Sequence, residues 1–153
     1  MKTILIDTRE QHPLNFSFYG VETCRATLKY GDYSLKGYES LCLIERKAST
    51  GELYGNLVKN FDRFCRELEK AKDCVYKYII CEFHESDMYT FPKGSGIPFY
   101  LHRGLNSRGS FFRKRACQIQ EDYGVVFVFC GDAQGASEKV IEIFKEIEHN
   151  EKI

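Results

Sequence analysis

Four short apolar runs punctuate the chain, at residues 3–7 (TILID), 41–44 (LCLI), 75–83 (VYKYIICEF) and 125–130 (VVFVFC). Each is too short for a helix of ordinary length and rich in branched or aromatic side chains, which predicts strands, the first and the last of them buried. The first is closed by Thr8-Arg9-Glu10-Gln11 and then His12-Pro13. Residues 24–29 (CRATLK) alternate crudely, Gly31-Asp32 interrupts them, and Tyr33-Ser34-Leu35 leads through a turn at 36–40 into LCLIERK at 41–47. The spacing predicts an antiparallel meander over 24–47. From Thr50 the period changes: Leu53, Leu57, Phe61, Phe64 and Leu68 recur every three or four residues, as on one face of a helix. Ser49 or Thr50 offers an N-cap, and Glu52 an acid for the first turn. Pro92, Gly94, Gly96, Pro98 and Gly104 make 84–106 read as a long loop, after which a helix is expected over 107–123. The last segment places Val140, Ile141, Phe144 and Ile147 on one helical face.

The order of elements predicts an α/β fold in one domain, a central mixed β-sheet flanked by helices, since the later strand–helix–strand units require parallel pairing. The length of 153 residues fits one domain, and 43% hydrophobic residues with three prolines exclude a disordered or collagen-like chain. No apolar run approaches the length of a membrane span, and MKTILIDTRE reads as a first strand rather than a signal peptide. Seven cysteines, odd in number and without a CxxC pair, point to free thiols in a reducing, cytoplasmic setting, and four scattered histidines offer no zinc site.

Charge balances overall at 22 basic and 22 acidic residues, but its distribution does not. Between Met88 and Gln120 there is no Asp or Glu, while Lys93, Arg103, Arg108, Arg113, Lys114 and Arg115 all fall there among Phe91, Phe99, Tyr100, Phe111 and Phe112. Such a segment reads as a phosphate-contacting track or as a solvated helix face over core aromatics.

Asp32 precedes Glu45-Arg46-Lys47 by thirteen residues. On a strand Glu45 and Lys47 share one face and Arg46 takes the other. An acid and a lysine two apart, with a second acid on a neighbouring strand, form a compact arrangement for a hard divalent cation and a water or phosphate beside it. A solvated strand end and a turn aspartate give the same letters, but the apolar lead-in LCLI places these charges where a strand leaves a core.

Ile6-Asp7-Thr8-Arg9-Glu10, Gly31-Asp32-Tyr33 and Ile44-Glu45-Arg46-Lys47, in that order and spacing, resemble the XPF-type structure-specific nuclease domain of the restriction-endonuclease-like, PD-(D/E)xK superfamily. The resemblance spans about residues 3–147 and continues through Arg63-Phe64-Cys65-Arg66-Glu67-Leu68 and Ile79-Ile80-Cys81-Glu82-Phe83. It implies a restriction-endonuclease-like fold and a structure-specific DNA endonuclease using Mg²⁺ or Mn²⁺ on flapped, forked or branched DNA. It makes Asp32 and Glu45 metal-binding carboxylates and Lys47 the catalytic lysine, with Asp7 a further metal ligand and Glu10 a further catalytic acid. Arg9, Arg46, Arg63, Arg66, Arg108, Arg113 and Arg115 are the candidate substrate contacts.

One departure stands out. The final acid of the family's ERKxxxD falls on Gly51, with Glu52 next to it as a substitute or as an ordinary first-turn glutamate. Glu82 shares the family's strand-end context. The resemblance is to the nuclease domain alone, without the helix-hairpin-helix or helicase-like regions of larger members, and it implies a compact phage or bacterial form. A homodimer or a partner protein would then contribute specificity. Two other readings fit the same fold: a non-catalytic DNA-binding or dimerising scaffold, and another PD-(D/E)xK enzyme such as a junction resolvase or an exonuclease. Retention of Asp32, Glu45 and Lys47 argues against the scaffold.

Overall fold

The computed structural model describes residues 1–105 and 109–152. Six strands form one sheet: β1 (Ile4–Asp7), β2 (Thr23–Ala26), β3 (Tyr33–Leu35), β4 (Cys42–Lys47), β5 (Tyr76–Cys81) and β6 (Val126–Phe129). Their spatial order is β2-β1-β3-β4-β5-β6. β3 runs antiparallel to β1 and to β4, whereas β1–β2, β4–β5 and β5–β6 are parallel, so the sheet is mixed as the element order predicts.

The expected meander is corrected in one respect. β2 does not pair with β3; β1 lies between them, and β2 is an edge strand parallel to β1. The crude alternation of CRATLK reflects that edge, where all of Thr23–Ala26 is exposed or half-exposed. The run at 125–130 is corrected likewise. β6 is the opposite edge and Val126 is half-exposed, although Val125 before it is buried.

Each face of the sheet carries its own core. On one, Leu43, Ile79 and Cys81 meet Leu53, Leu57, Phe64 and Leu68, together with Phe112, Ala116 and Ile119 of a later helix. On the other, Ile4, Ile6, Tyr33, Leu35, Ile44 and Ile80 meet Val140, Ile143, Phe144 and Ile147. Alternation along β4 therefore sends Leu43 to one core and Cys42 and Ile44 to the other, which fixes the faces of the charged residues that follow.

The helix expected from Thr50 is divided. α1 (Thr50–Tyr54) passes into a wide π-type turn (Gly55–Lys59), breaks at Asn60, and resumes as α2 (Phe61–Lys70). Ser49 caps α1 by accepting from Glu52 N–H at 3.2 Å. The loop at 84–106 contains α3 (Ser86–Tyr89) and a 3-10 turn (Phe99–Gly104), before α4 (Gly109–Tyr123) and α5 (Ala133–Asn150) complete the layers. All seven cysteines are free thiols. Among the described residues no helix is long and apolar enough to cross a membrane.

Candidate active site

The end of β4 leaves the sheet between two neighbours, and its Glu45 faces a cleft of about 400 Å³. Asp7, Arg9, Glu10, Asp32 and Glu45 line it, together with Phe64 and Leu68 of α2. Residues far apart in the chain thus converge: Asp7 ends β1, Asp32 immediately precedes β3, and Glu45 lies on β4.

Asp32 is fixed by the backbone. Its Oδ2 accepts from Arg46 N–H at 2.8 Å, while its own N–H donates to Ile44 C=O at 2.8 Å. Gly31 makes this approach possible. Its φ is +70°, and a Cβ there would lie 2.6 Å from the Ile44 carbonyl oxygen. Burial, then the negative charge of Glu45, pushes the Asp32 carboxyl up to about 8. Glu45 is raised as well, chiefly by burial, with Lys47 pulling the other way. Lys47 Nζ lies 3.4 Å from Glu45 Oε2 and 6.0 Å from the Phe64 ring centre. Burial alone would lower the Lys47 ammonium, yet Glu45, Asp32 and Glu52 hold it above its ordinary value.

Asp7, expected as a metal ligand, lines the cleft with its carboxylate held by neighbours. It is buried, and both oxygens are already engaged: Oδ2 accepts from Arg9 Nε at 2.7 Å and Arg9 N–H at 3.1 Å, and Oδ1 from Leu28 N–H at 2.9 Å. Those donors hold the Asp7 carboxyl below its usual range against the opposing effect of burial. Asp7 is therefore placed to hold Arg9 at the cleft.

Arg46 points to the opposite face of β4. It donates from Nε to Glu82 at 2.6 Å, and from Nη1 to Glu10 at 3.2 Å and to His12 C=O at 2.7 Å. Only 14% of its side chain and 8% of that of Glu82 remain exposed. The expected phosphate contact is thus an internal ion pair, and Glu82 reaches the site through Arg46. Glu10 is held from a second side by Tyr33 Oη–H at 2.8 Å, and that hydroxyl accepts from Leu14 N–H at 3.0 Å. The hydrogen-bonding role of Tyr33 was not legible in the sequence, where it stands only as the last residue of Gly31-Asp32-Tyr33 at the start of a strand.

At the ERKxxxD departure, Gly51 N–H donates to Ser95 C=O at 3.1 Å, and a side chain at 51 would strike that carbonyl. Glu52 Oε2 accepts from Ala48 N–H at 2.9 Å, reciprocating the Ser49 cap. Glu52 thus serves the helix start and reaches the site only through its field on Lys47.

The basic candidates fall into separate groups. Arg63, Arg66 and Arg115 line one hollow with Lys59, Arg115 stacking on Phe61 at 3.8 Å and Phe111 at 5.0 Å. Arg113, two residues away and so on another side of α4, stacks on Tyr89 at 4.0 Å. Arg108 lies outside the described residues. Lys29 and Lys70 line the cleft without having been singled out, as isolated lysines carry no motif. Among the described residues, no group of three or more His, Cys, Asp or Glu surrounds a single point as a closed metal cage would.

The fold is that of solved XPF structures. XPF from Aeropyrum pernix matches over 97% of this chain with a TM-score of 0.66 at 19% sequence identity. The same protein in complex with DNA matches over 98% with a TM-score of 0.68 at 21% identity. This chain spans 66% of the length of each of those chains. No curated protein matches it by sequence. The model of the ERCC4 domain matches residues 6–141, nearly the whole sheet and its helices, and the chain belongs to that family as an XPF-type nuclease domain.

Proposed function

We propose that this chain is a divalent-metal-dependent endonuclease that hydrolyses phosphodiester bonds in branched DNA. One observation carries the reading: Asp32 and Glu45 are held together in one cleft where each is pushed toward its neutral form, with Lys47 beside them. Two carboxylates forced together by backbone hydrogen bonds gain from a cation between them. Two hard oxygen donors, rather than a closed protein cage, are the set that Mg²⁺ or Mn²⁺ uses when phosphate and water supply the remaining positions. Asp32 and Glu45 would hold that ion, which supplies charge neutralisation and a water of lowered pKa.

The remaining work belongs to side chains. Lys47, restrained by Glu45 on the same strand face, orients the attacking water or neutralises a phosphate oxygen. Glu10, fixed by Tyr33 and Arg46, contributes a further negative charge at the edge of the cleft. Arg9, clamped by Asp7 and largely solvent-exposed, meets a backbone phosphate at the mouth. Arg63, Arg66 and Arg115 extend the phosphate contacts, as does Arg113 on its own side of α4. DNA as the substrate rests on the family and on the similarity to an XPF protein solved with DNA.

Labelled flap, splayed-arm, four-way and linear duplex DNA, incubated with Mg²⁺, Mn²⁺ or EDTA, test this reading beside the Glu45→Ala protein. Metal-dependent cutting of a branched substrate that is lost in the variant is expected. Symmetric nicking of four-way junctions, or degradation from a free end, would make it a different enzyme of the same fold. Tight DNA binding without cutting under any metal would make it a scaffold.

A further inference from the structure

We infer that the 3-10 turn Phe99–Gly104 is a stacking platform for unpaired bases of a single-stranded DNA arm. This rests on the proposed action on branched DNA and names the part of the branch that the chain holds.

Phe99 and Tyr100 are the most exposed aromatic side chains among the described residues, at 87% and 81%. They are not loose. Leu101 N–H donates to Pro98 C=O at 3.0 Å, Leu105 N–H to His102 C=O at 3.2 Å, and the His102 ring bonds Ile97 C=O at 2.8 Å. The same imidazole meets the Phe99 ring edge-on at 5.4 Å. Two rings are thereby presented to solvent on a hydrogen-bonded turn, at a standing hydrophobic cost that an apolar core position would remove.

The surroundings favour nucleic acid over an apolar protein surface. Phe99, Tyr100 and His102 share a hollow with Lys93 and Arg103, and no acidic residue lines it. Aromatic faces beside cations, without carboxylates, suit a strand whose bases stack while its phosphates pair, and stacking tolerates any base. The turn is also tied to the cleft. Gly51 N–H bonds Ser95 C=O, so the segment leading to Phe99 is docked on the start of α1, which directly follows the strand carrying Glu45 and Lys47. Phe99 lies four positions beyond Ser95 and Gly51 four beyond Lys47, a reach of roughly 14 Å at most for each. A strand seated on the turn thus lies on a segment docked beside the strand that carries Glu45 and Lys47.

The test compares fluorescein-labelled oligothymidylate with an abasic deoxyribose-phosphate oligomer of equal length, binding to the intact chain and to Phe99→Ala/Tyr100→Ala. Fluorescence anisotropy should show wild type preferring thymidylate, and the double variant losing about tenfold or more of that affinity. Its affinity for the abasic strand and for duplex should be nearly unchanged. Phe99→Trp should retain binding and Phe99→Leu should lose it, because the π face rather than apolarity is required. Circular dichroism checks that the variants fold, which substitutions at exposed positions favour. Equal wild-type affinity for thymidylate and abasic strands, or unchanged thymidylate binding in the double variant, would overturn the platform while leaving the nuclease reading intact. A wild-type dimer that the double variant turns into monomer in sedimentation would also overturn it, marking a protein contact. Failure of the wild type to bind any DNA would overturn both.

Discussion

The backbone N–H of Arg46 donates to the carboxylate of Asp32 at 2.8 Å, so the strand bearing Glu45 and Lys47 also positions the site's other acid. GD and ERK are therefore one mechanical unit across β3 and β4. Gly31 is its hinge point, because no side chain fits between the turn and the Ile44 carbonyl. Gly31→Ala should destabilise the fold by about 2 kcal/mol or more, from the left-handed backbone and the clash together. Denaturant unfolding measures it, and a neutral outcome would show that Asp32 is not held by this close approach.

The crowding of the two acids sets a pH dependence for the metal-free chain. The Asp32 carboxyl titrates near 8 in the folded state against an ordinary value of 3.8. Between those values the folded chain holds a proton that the unfolded chain has released. Stability therefore falls as pH rises through this window and levels off above it. The raised Glu45 adds to the same trend. In EDTA, Asp32→Asn/Glu45→Gln should flatten the profile and raise Tm at pH 8 more than at pH 5, by about 2–4 °C for each kcal/mol relieved. Mg²⁺ should restore stability to wild type at pH 8 and not to the double variant. A pH profile identical in both proteins would show that the acids do not repel.

Lys47 acts on Glu45, and in the proposed reaction also on the phosphate. Lys47→Ala should lower single-turnover cleavage by about a hundredfold or more. It should also move the pH dependence of Mn²⁺ binding upward, since it removes the cation that holds the Glu45 carboxyl down. A normal cleavage rate would exclude Lys47 from the chemistry.

Arg46 separates a structural arginine from a substrate contact. Removing it leaves Glu82 and Glu10 without their shared partner, so Arg46→Ala should cost about 3–5 kcal/mol of stability. Glu82→Gln should destabilise in the same direction and leave the salt dependence of DNA binding unchanged. A stable Arg46→Ala protein that binds DNA with a shallower salt slope would return Arg46 to the phosphate contacts.

Arg63, Arg66 and Arg115 share one hollow, and Arg113 lies apart from them. Neutralising Arg66 and Arg115 together should weaken binding to all DNA sequences alike and reduce the slope of log affinity against log salt by roughly one unit per lost phosphate contact. An unchanged slope would make them ordinary solvated cations on α2 and α4.

The division between sequence and tertiary structure follows from the range of each interaction. Strand alternation is local, and by itself it put Glu45 and Lys47 on one face and Arg46 on the other. The strands as such, the helix start at Ser49 and the mixed sheet were likewise legible, since each depends on neighbours within a few residues or on the order of elements. Which acid meets which partner was not legible. Asp7 is held by Arg9 and by Leu28 N–H, 21 residues on. Arg46 meets Glu82 across 36 residues. The parallel pairing of β2 with β1, which overturned the expected meander, joins segments that no local pattern links. Even Gly51 in place of an acid became intelligible only when Ser95 was found against it. The sequence by itself determined which side chains a strand or helix presents; the packing of distant segments decided which of those charges neutralise one another and which are left crowded in the cleft.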